Sequence, residues 1–193
     1  MKRTIREILY LFYCLLYTKC TIPFARLLRL PIDIRGKKGI SFGHRLTTGY
    51  GCRLESFSKN GRKSLFFGDD VQINDYVHIN ALESVRIGNN VLIASKVFVT
   101  DLLHGSYKGD ENDSEPDSIA KERPLSSSPV CIQDNVWIGE LVSVLPGVTI
   151  GRNSIIGANS VVTKSIPENC IAAGNPAKVI KQFNLKTKRW ERV

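Results

Sequence analysis

The sequence predicts an all-β fold, a solenoid of parallel strands wound into flat-sided coils. Three observations predict it. From residue 132 an aliphatic residue returns at every sixth position: Ile132, Ile138, Val144, Ile150, Ile156 and Val162. A second register runs two residues ahead, through Val130, Val136, Val142, Val148, Ser154 and Ser160. Gly139, Gly151 and Gly157 each follow a member of the first set. A period of six fits neither an amphipathic helix nor a flat two-sided strand. It fits a three-faced prism in which each face takes one hexapeptide and points one aliphatic side chain inward. Three hexapeptides complete a coil, and stacked coils bury a continuous aliphatic column, the parallel β-helix.

The pattern recurs upstream. Phe67, Ile73 and Ile79 form one triplet, with Val71 and Val77 two residues ahead of its last two members. Ile87, Ile93 and Val99 form the next, with Val91 and Val97 ahead. Ile34, Ile40 and Leu46 give an early coil. Residues 48–64 and 81–86 slip phase and are expected to bulge from corners. The reading is a β-helix domain over 34–175, of roughly five or six coils about 4.8 Å apart. Chance aliphatic spacing in a β-sandwich is the competing explanation, and six consecutive hits with placed glycines argue against it.

The repeat stops after Val99 and resumes at Val130. Residues 101–129, DLLHGSYKGDENDSEPDSIAKERPLSSSP, are polar and rich in Ser, Pro and Asp. A long unstructured excursion from a compact array is usually functional or disordered, and this one carries His104 near its start. Residues 1–33 are different again: a basic start, then the ten-residue run ILYLFYCLLY, then more cations. Three tyrosines in the run and no small-residue cleavage site exclude a signal peptide. The run is too short to span a bilayer. A basic amphipathic helix is expected, either lying at a membrane interface or capping the open end of the solenoid. Residues 176–193 are expected to form a basic arm or short helix at the other end.

At 193 residues this is one domain with short attachments. Five cysteines, without metal-like spacing, read as reduced thiols of a cytosolic protein. The net charge is +9, with 27 Lys and Arg against 18 Asp and Glu, much of the excess lying at the two ends. Such ends serve nucleic acid, an anionic membrane or an anionic cofactor. Nucleic acid is not expected, because aromatic and basic residues do not interleave as in a single-strand binder.

There are three histidines, His44, His78 and His104. His can take a proton from an alcohol because its ordinary pKa is close to neutral. His44 reads as structural. His78, between inward Val77 and Ile79, points outward and also reads first as structural. His104, opening the excursion, is the candidate base, although spacing alone leaves that open.

Several passages carry a family resemblance: ISFGHRLTTGYGCRLESF, VQINDYVHI, IGNNVLIASKVFVTDLLHG, RPLSSSPVCIQDNVWIGE and VLPGVTIGRNSIIGANSVVTKSIPENCIAAGNPAKVIKQF. They resemble the left-handed β-helix acyltransferases of the hexapeptide-repeat superfamily, nearest to the bacterial surface-polysaccharide O-acetyltransferases, lipopolysaccharide O-antigen acetyltransferases included. The resemblance runs from about Ile34 to the C-terminus.

It implies acetyl-CoA as co-substrate, a carbohydrate acceptor, no metal, and a homotrimer with sites between subunits. His104 falls at the position of the catalytic base. Relatives often read Asp-His-x-His-Gly where this chain reads Asp101-Leu102-Leu103-His104-Gly105. Trp137, Gly139 and the backbone N–H of Glu140 match the strand bordering the thioester. Ala158, Thr163 and Lys164 match positions along the pantetheine arm and nucleotide end. Gly174, Asn175, Pro176, Ala177 and Lys178 match the turn near the adenine, with Lys181 a further phosphate partner. Asn74, Asp75, Asn80 and Asp101 are the acceptor-side candidates, and Asp101 could also orient His104. The expected activity is O-acetylation of a sugar hydroxyl in polysaccharide synthesis, in the cytoplasm or peripherally at the inner face of the plasma membrane. N-acetylation of an amino sugar is the first alternative and a non-catalytic scaffold the second. A metal enzyme like γ-class carbonic anhydrase needs three histidines at one ion, and His104 has no histidine near it in sequence.

Overall fold

The computed structural model describes residues 3–58 and 61–193; Met1 and Lys2 of the basic start and Lys59 and Asn60 of the first phase slip lie outside the described residues. Ile132, Ile138, Val144, Ile150, Ile156 and Val162 are fully buried. So are Val130, Val136, Val142, Val148, Ser154 and Ser160. Both registers therefore face the core, not the single inward side chain per face expected from sequence.

Strands two to five residues long build three parallel sheets. The first contains Leu27–Leu28, Thr47–Thr48, Gln72–Ile73, Leu92–Ile93, Trp137–Ile138, Ile155–Ile156 and Cys170–Ala173. The second contains Ile32–Arg35, Cys52–Ser56, His78–Ala81, Phe98–Thr100, Ser143–Val144 and Val161–Val162. The third contains Ile40–Ser41, Leu65–Phe67, Val85–Ile87, Val130–Ile132 and Thr149–Ile150. The chain visits the sheets in rotation, so each strand pairs with strands of the passes before and after its own. Register is kept throughout: Ile73, Ile93, Ile138 and Ile156 align in the first sheet, and Ile79, Val99, Val144 and Val162 in the second. Branched residues suit such half-buried pleated positions.

Many of the turns between sheets contain a left-handed residue, a conformation that asparagine tolerates better than most L-residues. Asn90, Asn135, Asn153 and Asn169 take that conformation at successive third-to-first corners. There the Asn135 amide donates to Asn153 Oδ1 (3.1 Å) and the Asn153 amide to Asn169 Oδ1 (2.8 Å). Serine replaces valine in the second register only in the last pass. Ser154 Oγ donates to Pro167 O (2.7 Å) and accepts from Cys170 N–H (3.0 Å). Ser160 Oγ donates to Gly157 O (2.6 Å) and accepts from Gly174 N–H (3.0 Å). These hydroxyls hold the segment that closes the column.

The array starts earlier than expected, at Leu27 rather than 34. The helix before it runs Ile5–Thr21, opened by a capping box between Thr4 and Glu7. It packs along the edge strand Leu27–Leu28 and supplies that edge with partners. Thr18 Oγ1 accepts from Leu28 N–H (2.8 Å), Cys14 Sγ accepts from Leu30 N–H (3.4 Å), and Tyr10 OH donates to Leu30 O (2.6 Å).

Two other expectations are corrected. The C-terminal segment is not helical: Lys178–Asn184 and Arg189–Arg192 form an antiparallel hairpin that extends the first sheet from Cys170–Ala173. Val179, Lys181 and Phe183 are partly buried and alternate with exposed Lys178, Ile180 and Gln182, the period-two signature of a strand. The excursion is not unstructured either. Leu102–His104 pairs antiparallel with Leu125–Ser127 at its foot. Further out, the Arg123 guanidinium donates to Ser118 Oγ (2.8 Å), Ser118 O (2.8 Å) and the Tyr107 hydroxyl (2.7 Å).

All five cysteines are free thiols; Cys14, Cys52 and Cys170 are buried and Cys20 is exposed. Burial pushes the Cys52 thiol up to about 11 and also raises Cys131 and Cys170. A thiol-titrating disulfide reagent at mildly alkaline pH is therefore expected to modify Cys20 fast in the native protein, the half-buried Cys131 slowly, and the buried three only on unfolding.

Candidate functional site

His104 ends the strand Leu102–His104, and its side chain is exposed. The backbone beneath it is fixed. Its carbonyl accepts from the Tyr107 hydroxyl at 2.6 Å, and Ser128 N–H donates to Asp101 O at 2.8 Å, closing the foot of the excursion. Asp101 is wholly buried. Its carboxylate accepts from Leu82 N–H (2.7 Å) through Oδ1, and from Glu83 N–H (2.8 Å) and Ser84 N–H (2.7 Å) through Oδ2. That corrects the sequence assignment: Asp101 neither reaches an acceptor nor orients His104, because it clamps the corner of the preceding pass. Beside the foot lies a cavity of about 280 Å³ lined by Leu103, Tyr107, Lys108, Ser126, Pro146 and Thr163 among others. Thr163, assigned to the cofactor side, thus faces the His104 excursion.

The other assigned residues gather elsewhere. Trp137 is half exposed on the outer face of the first sheet. Its row continues through Ile155 and Ile171 to Lys181. Gly139 is required where it stands, since a Cβ there would lie 2.6 Å from Ala158 N. Glu140 and Ala158 are exposed at the corner leading into the second sheet. Lys164 is exposed just after Val162. Gly174, at φ +107°, accepts from Val161 N–H (3.0 Å), and Ala177 N–H donates to Val161 O (2.8 Å). Those bonds seat the Gly174–Lys178 turn on the last strand of the second sheet, with Pro176 and Lys178 exposed.

The assigned residues therefore divide between two corners. His104 and Thr163 lie where the chain leaves the second sheet; Trp137, Gly139, Glu140 and Ala158 lie where it enters. Between them the chain crosses the second sheet at Ser143–Val144, and from Glu140 to Leu145 it can span at most about 17 Å at roughly 3.3 Å per residue. No hydrogen bond or ion pair joins the two groups among the described residues.

The acceptor-side candidates fare unevenly. Asp75 Oδ1 accepts from Tyr50 N–H (2.7 Å) and from Arg29 Nη1 (3.3 Å), a corner clamp like that of Asp101. Asn74 is half-buried, and its Oδ1 accepts from Gln72 Nε2 at 3.4 Å. Asn80 is buried and, among the described residues, its Oδ1 has no partner. His44 Nδ1 lies 3.2 Å from Asp69 Oδ1, with its ring beside Phe24.

Sequence reasoning missed Glu55. It is buried on the second sheet, with His78 Nε2 2.7 Å from Oε2 and Arg53 and Arg35 donating to Oε1 at 2.8 Å and 3.1 Å. Burial pushes the Glu55 carboxyl up, but the hydrogen bonds from Arg53 and His78 outweigh it and hold the group below its ordinary range. The available signal was register: Glu55 pairs with Asn80, two residues beyond His78.

The description of the bacterial transferase hexapeptide family, six repeats, matches residues 132–164. WbbJ of Escherichia coli (strain K12), whose name assigns it to O-acetyl transfer in lipopolysaccharide biosynthesis, is 50% identical over 177 residues, 92% of this chain and 89% of its own length. The chain belongs to the hexapeptide-repeat acetyltransferases. A second member of this family, galactoside O-acetyltransferase of the same organism, is 39% identical over 130 residues, 64% of this chain and 60% of that one. Among solved structures, a variant of AntD, an N-acyltransferase from Bacillus cereus in complex with dTDP-4-amino-4,6-dideoxyglucose and coenzyme A, shares the fold. It superposes with a TM-score of 0.67 over 83% of this chain and 82% of its own, at 21% identity.

Two substitutions test the structural assignments of this hexapeptide-repeat acetyltransferase. Asp101→Ala leaves three backbone N–H groups without an acceptor and is expected to cost about 3 kcal/mol in denaturant unfolding. For Glu55 the folded-state pKa is depressed, so its contribution is complete above the unfolded value of 4.5 and is lost as pH falls through the folded value. Glu55→Gln should therefore destabilise at neutral pH, with the gap from the native protein closing under acid.

Proposed function

We propose that the protein transfers an acetyl group from acetyl-CoA to a sugar hydroxyl in the synthesis of a bacterial surface polysaccharide, with His104 as general base. The observation that carries this reading is the 50% identity to WbbJ across nearly the whole of both chains. Hydroxyl rather than amine is favoured because the relatives at 50% and 39% identity are both named for O-acetyl transfer. In this reading the three sheets wind as a left-handed β-helix, the handedness of the family.

His104 stands exposed on a strand anchored at both ends, and a neutral imidazole there can accept the acceptor's hydroxyl proton. The freed oxygen attacks the thioester carbonyl, giving a tetrahedral oxyanion. The donor proposed for that oxyanion is the corner N–H of Glu140. Gly139 and Leu141 on either side donate to Ile156 O (2.8 Å) and Ser95 O (3.1 Å), while the Glu140 N–H has no acceptor among the described residues. Collapse breaks the C–S bond, and the proton held by His104 passes to the leaving thiolate. Lys164, Lys178 and Lys181 supply cations for the phosphates of the cofactor. None of these steps uses a cysteine, a covalent acyl-enzyme or a metal.

The division of the assigned residues between two corners supports a site shared between subunits; the assembly proposed is a homotrimer acting in the cytoplasm, in which the His104 corner of one subunit faces the Trp137–Glu140 corner of the next.

Transfer of labelled acetyl from acetyl-CoA should be measured with free, nucleotide-linked and lipid-linked sugars. His104→Ala is expected to lose about 10³-fold in turnover while retaining acetyl-CoA binding; transfer that persists would remove His104 as the base. Mixed assemblies are the second test. His104→Ala and Trp137→Arg subunits, each inactive alone, should regain activity when refolded together, and failure to do so would place both residues in one-chain sites.

A further inference from the structure

The helix Ile5–Thr21 is turned the unusual way round. The face against the array carries Cys14 and Thr18, both buried, with Tyr10 and Tyr17 beside them. The outward face carries Ile5, Ile8, Leu9, Phe12, Tyr13, Leu15 and Leu16, all well exposed, Ile5 at 77% and Leu9 at 62%. At about 100° per residue these seven fill an arc of roughly 160° centred opposite Cys14, along about 17 Å of helix. Phe24, also exposed, lies just past its end. A surface helix normally shows water its polar face, and an exposed apolar stripe of this size marks a binding surface.

The charge around the stripe selects the occupant. Between residues 3 and 38 there are eight Lys and Arg against two acidic residues, Glu7 and Asp33; Arg26, Arg29 and Arg35 are paired with Asp70, Asp75, and Asp33 and Glu55, which leaves Arg3, Arg6, Lys19, Lys37 and Lys38 without an ion pair among the described residues. Arg3 and Arg6 stand exposed at one end of the stripe, and Lys37 and Lys38 are exposed beyond the other. Lys37 and Lys19 are held by uncharged backbone carbonyls, which leave their charge in place. A second copy of this face would bring the same cations together. Among the described residues no helix is long and apolar enough to cross a membrane, so an in-plane arrangement fits.

We propose that the outward face of this helix lies in the headgroup layer of an anionic lipid bilayer, with the flanking cations on the lipid phosphates and the hexapeptide array standing off the surface. The inner face caps the edge strand at the same time, so the helix is both lid and anchor. The inference is independent of acetyl transfer, because lipid binding needs no turnover.

The test is co-flotation of the full chain with phosphatidylcholine vesicles, with and without phosphatidylglycerol, together with its mass in solution. Binding confined to the anionic vesicles and weakened by salt is expected. Phe12→Asp with Leu16→Asp should lower binding at least about tenfold by removing buried apolar area. Arg3→Glu with Arg6→Glu should do the same through charge; acidic residues suit the first turn of a helix, so an unchanged melting temperature separates lost binding from lost folding. Absence of binding, or equal binding to both kinds of vesicle, overturns the proposal. So does a fall in assembly size in Phe12→Asp with Leu16→Asp, which would assign the stripe to a second copy.

Discussion

The ladder of backbone hydrogen bonds between successive passes sets the terms for the rest of the molecule. Gly139 N–H reaches Ile156 O, Leu92 N–H reaches Val136 O, and Cys131 N–H reaches Val148 O. In each case the partner belongs to the next pass. Stability is then a property of neighbours, as in other repeat arrays, and register becomes the critical variable. A slip of one residue would turn Ile138 and Val144 outward and polar corner residues inward. The inward valines and isoleucines hold register from inside, and the left-handed asparagines hold it from the corners.

A rigid array of this kind leaves chemistry to its edges. The exposed residues assigned to the site stand at corners or on what leaves a corner. His104 stands on the excursion between the second and third sheets, and Glu140 at the entry to the second. Carboxylates at similar corners do a different job. Asp101 and Asp75 accept backbone N–H groups of the preceding pass and fix the corners there. The buried Glu55 plays a comparable part on the outer face, balancing two arginines and His78.

The column was legible because its signal is one of pure spacing. Every hexad position from Ile132 to Val162 is buried, and the family description matches the same stretch. Three things were not legible for physical reasons. The C-terminal hairpin has a period-two burial pattern, but Lys181 on its partly buried face and Ile180 on its exposed face masked it. The start of the array at Leu27 was hidden because the first pass borrows its edge partners from the side chains of Cys14 and Thr18 instead of from a strand. The role of Asp101 could not be read from a motif, since an aspartate three residues before a histidine looks the same whether it orients the ring or binds a neighbouring turn. Only its burial and its three N–H partners distinguish the two.

The excursion leaves and rejoins the array at nearly one point, where Asp101 O meets Ser128 N–H and Leu102 pairs with Ser127. Everything between His104 and Leu125 hangs from that closure. Residues added, lost or exchanged there change the surface of the excursion and leave the inward side chains of the column in place. The fold therefore separates what must stay constant from what is free to diverge: a fixed chassis with an interchangeable head of about twenty surface residues.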